Sequence, residues 1–168
     1  MPVLTEKEGK SFLKEDGLLM RIGVVREDGS PLVIPIWFLY EEDSIYFTPR
    51  AKSEWFDCLK RDARVSLCID EQTLPYRKVV VDGSAEMLYD LGKDDIWRDL
   101  YLRIAKRYSP EEMAEAYVHN TIDQERALFQ VQLGISKVRT WRMPFEGESA
   151  TGIWHQRYYA PGSKFHKS

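Results

Sequence analysis

From Leu18 onward the apolar residues fall into short runs broken every few positions by turn residues, a pattern that favours strands over long helices. The run LLMRIGVVRE is followed by Asp28-Gly29 and then by PLVIPIWFLY. A Gly free to take positive φ between two such runs predicts a tight hairpin. SIYF, RVSLCID, RKVVVDGSAEML, ALFQVQLG and SKVRTWRM read as further strands. Gly83 marks a bulge or a close backbone approach, and Pro35, which has no ladder donor, marks a sheet edge or an irregularity. Trp37 and Phe38 are consecutive, so an extended chain sends one into the core and the other toward a groove or a partner surface.

Helical spacing appears elsewhere. Thr5 to Glu15 opens with the S/T-x-x-E spacing of a capping box, Thr5 with Glu8. Ser53 to Arg61 puts Trp55, Phe56 and Leu59 on one face, with Ser53 as N-cap. Asp94 to Tyr108 carries Ile96, Trp97, Leu100, Tyr101, Ile104 and Tyr108 at helical intervals, and Ser109-Pro110-Glu111-Glu112 starts a helix to about Tyr117 with Ser109 as its cap. About seven strands and three or four helices, the helical excursion falling before the last two strands, predict an α+β, mainly β fold around a small barrel. Residues 1–168 make one domain, with a C-terminal tail over 143–168 rich in Gly, Ser and aromatics. Its aromatics and Trp141 serve either a substrate pocket or packing.

Composition adds limits. A chain 43% hydrophobic and 30% charged is globular rather than disordered. No apolar run approaches a membrane span and MPVLTEKEGK lacks a signal-peptide core, which favours a cytoplasmic protein. The net charge of -3 argues against nucleic acid as partner. Residues 50–64 nevertheless hold Arg50, Lys52, Lys60, Arg61 and Arg64 against Glu54, Asp57 and Asp62, a local basic spot suited to a small anion or simply to solvent. Cys58 and Cys68 read as small buried hydrophobes, and with His119, His155 and His166 scattered, no metal site is expected.

The candidate chemistry lies after the SIYF strand. Thr48, Arg50, Lys52 and Ser53 combine hydroxyls, cations and the free N–H groups of a helix start, which together suit a phosphate. The same residues also fit a solvated loop with Thr48 as strand filler. No nucleophile with a base and no carboxylate pair stands out, so no catalytic residue is assigned.

Taken in order, DGSPLVIPIWF, TPRAKS, LKRDARVSLCID, PYRKVVVDGSAEM, IAKRYSPEEMAEAY and ISKVRTWR resemble the pyridoxamine 5'-phosphate oxidase-like split β-barrel proteins that bind FMN or the deazaflavin F420. The likeness runs over about residues 5–142. It implies a homodimer with a cofactor at each subunit interface. The flavin ring would lie on Ile34, Pro35, Ile36 and Trp37, the phosphate on Thr48, Arg50, Lys52 and Ser53, with Arg77 adding a charge. One departure is Trp55, where family members commonly carry Lys two residues after the matching Ser. The C-terminal Arg- and His-bearing motif of true pyridoxamine phosphate oxidases is not recognisable in WHQRYYAPGSKFHKS, so vitamin B6 synthesis is not implied.

The implied activity is an oxidoreductase acting on a small organic substrate, with FMN as first choice of cofactor and F420 as second. In such enzymes the cofactor carries the hydride chemistry, so missing side-chain catalysts do not count against it. F420 would also need a cationic groove for its anionic tail, which Lys60, Arg61 and Arg77 provide only if they converge. The alternatives are a non-catalytic module that stores or sequesters a flavin or haem, and a scaffold that has lost its cofactor. The resemblance leaves substrate shaping to Tyr89–Gln124 and Met143–Ser168.

Overall fold

The computed structural model describes residues 2–148. Strands β1 (Met20–Val25), β2 (Pro31–Ile36), β5 (Arg64–Asp70), β6 (Lys78–Ser84) and β9 (Lys137–Trp141) form a five-stranded sheet in the order β2-β1-β5-β6-β9. Strands β3 (Leu39–Glu41), β4 (Ser44–Phe47), β7 (Glu86–Tyr89) and β8 (Leu128–Gln132) form a four-stranded one in the order β3-β4-β8-β7. Every pairing is antiparallel. Alternate residues meet between the sheets: Met20, Ile22 and Val24 from β1, Val65, Leu67 and Ile69 from β5, and Ile45, Phe47, Phe129 and Val131 from the second sheet. Helix α1 (Glu6–Leu13) closes this core with Phe12 and Leu13, and α2 (Glu54–Arg61) with Phe56 and Leu59.

Two of the expected strands are each split between the sheets, which raises the count to nine among the described residues. PLVIPIWFLY is the more telling. Strand β2 stops at Ile36, and the chain crosses to the other sheet through Trp37 and Phe38. At the crossing the backbone leaves its ladder, and the end of the third helix, α3 (Arg98–Lys106), takes its place. The Phe38 N–H donates to the Tyr108 hydroxyl at 3.0 Å, and the Arg107 guanidinium donates to the Phe38 carbonyl at 2.7 Å. Phe38 is fully buried in the barrel and Trp37 faces the other way, so the alternation expected of the pair survives. RKVVVDGSAEML breaks in the same manner at Ala85, whose N–H donates to the Ala63 carbonyl at 2.8 Å.

Pro35 does sit on an edge strand, and Gly83 does mark a close approach: a Cβ there would lie 2.4 Å from the Ser136 hydroxyl. The capping box of α1 forms as expected. The helix expected from Asp94 begins instead as a 3-10 turn, Asp94–Ile96, which leaves Ile96 exposed and starts α3 only at Arg98. Helix α4 (Glu111–Asn120) has Pro110 at its cap position, not Ser109, because the Ser109 hydroxyl donates backwards to the Ala105 carbonyl at 3.2 Å.

Helices α3 and α4 pack on the outer face of the second sheet. Trp97, Tyr101, Ala105, Ala114 and Val118 enclose Leu128 of β8, with Trp37 and Tyr117 at the rim of this second cluster. Strand β8 is thus covered on both faces, Phe129 and Val131 by the barrel and Leu128 by the helical insert. Trp141 is half-buried under the Lys78 ammonium, 4.9 Å from its ring centre. The tail sequence WHQRYYAPGSKFHKS lies outside the described residues. Among the described residues no helix is long and apolar enough to cross a membrane.

Candidate functional site

The β4–β8 ladder builds the site. Its register pairs Tyr46 with Gln130 and Phe47 with Phe129, and the same register runs on past the strand ends. There the Ala127 N–H donates to the Pro49 carbonyl at 3.1 Å and the Ala51 N–H to the Glu125 carbonyl at 2.9 Å, which bridges Arg50 to Arg126. Phe47 and Phe129 point into the barrel, so the alternate positions turn outward and the two arginines are direct cross-strand neighbours.

They open into a cleft of about 290 Å³. Pro35, Ile36 and Trp37 line it from the crossing, Thr48, Arg50, Ser53 and Trp55 from the turn after β4, and Tyr101, Tyr117 and Arg126 from the insert side. Trp37 is held in place by stacking on Tyr108, with ring centres 4.9 Å apart, and by the edge of Tyr117.

The electrostatics are one-sided. The Arg50 Nη2 donates to the Tyr117 hydroxyl at 2.9 Å. Arg126 is only 6% exposed, and its guanidinium lies 4.5 Å over the Tyr101 ring. Its Nη2 is 3.5 Å from the same Tyr117 oxygen, a weak contact, and its Nε has no hydrogen-bond partner among the described residues. The Tyr101 hydroxyl is also buried and unpartnered among them. Arg21, Arg26, Arg64, Arg77, Arg103, Arg139 and Arg142 all sit against carboxylates, whereas neither Arg50 nor Arg126 has one within 4.0 Å among the described residues. Asp94 holds only the Arg126 backbone, accepting its N–H at 2.8 Å.

The phenols respond in opposite directions. Burial pushes the Tyr101 hydroxyl well above the usual phenol pKa. For Tyr117 burial acts the same way, but the neighbouring Tyr101 hydroxyl and the Arg126 and Arg50 cations outweigh it and hold the pKa below the usual value.

Ser53 stands at the N-cap position of α2 but does not cap it. Its hydroxyl donates to the Arg50 carbonyl at 2.6 Å, closing the 50–53 turn, so no side chain accepts from the first N–H groups of α2. The reading of Ser53 as a side-chain cap is corrected accordingly: its hydroxyl is turned toward the Arg50 carbonyl, and its oxygen accepts from none of the α2 N–H groups.

Of the residues selected from sequence, the cleft gathers Pro35, Ile36, Trp37, Thr48, Arg50 and Ser53. Ile34 packs on the barrel core, and Lys52 is exposed outside the lining. Arg77 is engaged elsewhere, donating to Glu15 at 2.7 Å and to Glu71 at 2.6 Å, with its guanidinium over the Phe12 ring. Arg61 donates to the Val25 carbonyl and Lys60 pairs with Asp57. Each of these three cations is therefore drawn to a separate neighbour, and they do not converge into a groove within one chain. Tyr101, Tyr117 and Arg126 were missed. The two tyrosines read as helix core, and Arg126 becomes a neighbour of Arg50 only once β4 and β8 pair in this register.

Fold and cleft together define a small split barrel with a groove suited to an anionic ligand. The family model described as pyridoxamine 5'-phosphate oxidase matches residues 5–142, and the chain belongs to that family. Among curated protein sequences none matches the chain. Among solved structures it is similar to a conserved hypothetical protein from Mycobacterium tuberculosis, at 21% identity and a TM-score of 0.68, covering 89% of this chain and 94% of that one. It is also similar to an F420 reductase, at 25% identity and a TM-score of 0.55, covering 73% and 90%. A FAD-binding protein from Mesorhizobium loti matches at 20% identity and a TM-score of 0.58, covering 83% and 97%.

Proposed function

We propose that the protein is a homodimeric, FMN-dependent oxidoreductase acting on a small organic substrate. The observation that carries this reading is the cleft in which Pro35, Ile36 and Trp37 offer an apolar wall and Thr48, Arg50 and Ser53 a cationic, hydroxyl-bearing end. A planar ring with a phosphate tail needs that polarity along its length. Membership of the pyridoxamine 5'-phosphate oxidase family supports it. FMN, when bound, supplies the hydride chemistry. The chain's own task is to hold it: Arg50, Thr48 and the open start of α2 bind the phosphate, and Pro35–Trp37 set the plane of the ring.

A volume of about 290 Å³ is at the small end for such a ligand. A second subunit against edge strand β2, where Val33 is 63% exposed, would supply the missing wall. F420 is the second reading for the cofactor, since one similar structure is that of an F420 reductase. FMN is favoured because Lys60, Arg61 and Arg77 do not form a groove for an anionic tail.

The test is titration of the purified protein with FMN and, separately, with F420. Saturable binding of FMN at micromolar Kd or tighter, about −8 kcal/mol or better, is the expected result. Sedimentation should give a dimer. Reduction of the bound cofactor by a nicotinamide donor and its reoxidation by substrate would separate an enzyme from a storage module. Tight haem binding with no flavin binding would overturn the proposal.

A further inference from the structure

Arg126 is a poor residue for the barrel and a good one for a ligand. It is 6% exposed, faces Arg50 directly across the ladder, and has no carboxylate within 4.0 Å among the described residues. Like charges directly opposed on a ladder are destabilising, and a desolvated cation without a counter-charge costs more still. The hydroxyl nearest to it, that of Tyr117, is already taken by Arg50 at 2.9 Å, and the Nε remains without an acceptor among the described residues. The start of α2 borders the same cleft, and no side chain accepts from its first N–H groups. Arg126, Arg50 and the start of α2 thus bring donors from three segments to one space, whose lining among the described residues contains no carboxylate.

We propose that Arg126 is a phosphate-binding residue, clamping the terminal phosphate of the ligand together with Arg50 from the side opposite the Thr48–Ser53 turn. The ligand's identity rests on the FMN reading above; the clamp itself rests on Arg126. Two guanidiniums match a phosphate monoester, which is a dianion at neutral pH because its second pKa is about 6. A carboxylate or a phosphodiester brings one charge and leaves one guanidinium uncompensated.

FMN and riboflavin share a ring and differ by the phosphate, so their affinity ratio reads the clamp. The wild type should prefer FMN, and Arg126→Met should lose at least about tenfold of FMN affinity while leaving riboflavin binding unchanged. Arg126→Lys, which keeps the charge and loses the fork, should fall between. FMN affinity, but not riboflavin affinity, should weaken as the pH falls below about 6. Arg126→Met should also melt no lower than the wild type without ligand, since it removes an uncompensated charge and keeps most of the buried stem. An unchanged FMN-to-riboflavin ratio in Arg126→Met, or no preference for FMN in the wild type, would overturn the proposal. If neither flavin binds, the FMN reading fails, and inorganic phosphate decides the clamp. A thermal midpoint that rises with phosphate in the wild type and not in Arg126→Met retains it; a wild-type midpoint unmoved by phosphate removes it.

Discussion

Two buried arginines, one between the helices of the insert and one just after it, are treated differently. Arg107, just past the end of α3, is 8% exposed and donates to the carbonyls of Phe38 at 2.7 Å, Leu13 at 2.9 Å and Glu15 at 2.6 Å. Its guanidinium lies 4.4 Å over the Phe38 ring. Arg126 is buried to a similar degree and lies over Tyr101 at 4.5 Å, yet finds only a weak contact to a tyrosine hydroxyl. Burial and ring stacking are therefore common to both, and acceptors are what separate them. Arg107 also has a carboxylate nearby, Asp16 at 3.7 Å, whereas Arg126 has none within 4.0 Å among the described residues. Where acceptors are withheld, the cation faces the cleft.

Replacement is the most direct way to break this contrast. Arg107→Met leaves the Leu13 and Glu15 carbonyls without this donor, and the Phe38 carbonyl with only the Tyr108 hydroxyl at 3.4 Å, and should cost about 3 kcal/mol in urea unfolding. Arg126→Met should cost nothing measurable in the same experiment. Equal losses would mean that Arg126 is structural after all.

The tyrosines sharpen the contrast by titration. Burial raises the Tyr108 pKa, outweighing both its hydrogen bond at Phe38 and the nearby Arg107 cation, while the groups around Tyr117 hold that phenol below the usual value. Absorbance in the tyrosinate band should show a phenol ionising below the usual value, and Tyr117→Phe should remove that step. The stability consequences have opposite signs. The Tyr117 contribution is present above the unfolded phenol pKa and is lost as pH falls through the lower folded value. The Tyr108 contribution is present below the unfolded pKa and is lost as pH rises through the higher folded value.

How much of this could be read from the chain differs between scaffold and cleft. Alternation in MRIGVV and RVSLCID, the Thr5–Glu8 box, edge-strand Pro35 and close-packed Gly83 are local signals, and the structure bears each of them out. The break at Trp37–Phe38 was not legible, because its cause is a hydrogen bond from Arg107, distant in sequence. The cleft was half legible for the same reason. Thr48, Arg50 and Ser53 are contiguous and could be picked out as a cradle, whereas Arg126 reaches Arg50 only through the register of β4 with β8. The sequence carries Trp55 where similar proteins commonly have a Lys. The buried cation lies across the ladder.

The smallest expected effect tests the same division at two helix starts. Thr5 accepts the Glu8 N–H at 3.2 Å while the Glu8 carboxylate accepts the Thr5 N–H at 2.7 Å, so α1 is closed by its own side chains. Thr5→Ala should cost about 1 kcal/mol. Ser53 occupies the equivalent position on α2, but its hydroxyl is turned to the Arg50 carbonyl, so Ser53→Ala should change unfolding free energy by less than about 0.5 kcal/mol. The effect of Ser53→Ala should surface in binding instead, as a several-fold weaker FMN complex, because that hydrogen bond shapes the turn presenting Arg50. A stability loss matching that of Thr5→Ala would make Ser53 an ordinary cap, and the first N–H groups of α2 would then be closed to any ligand.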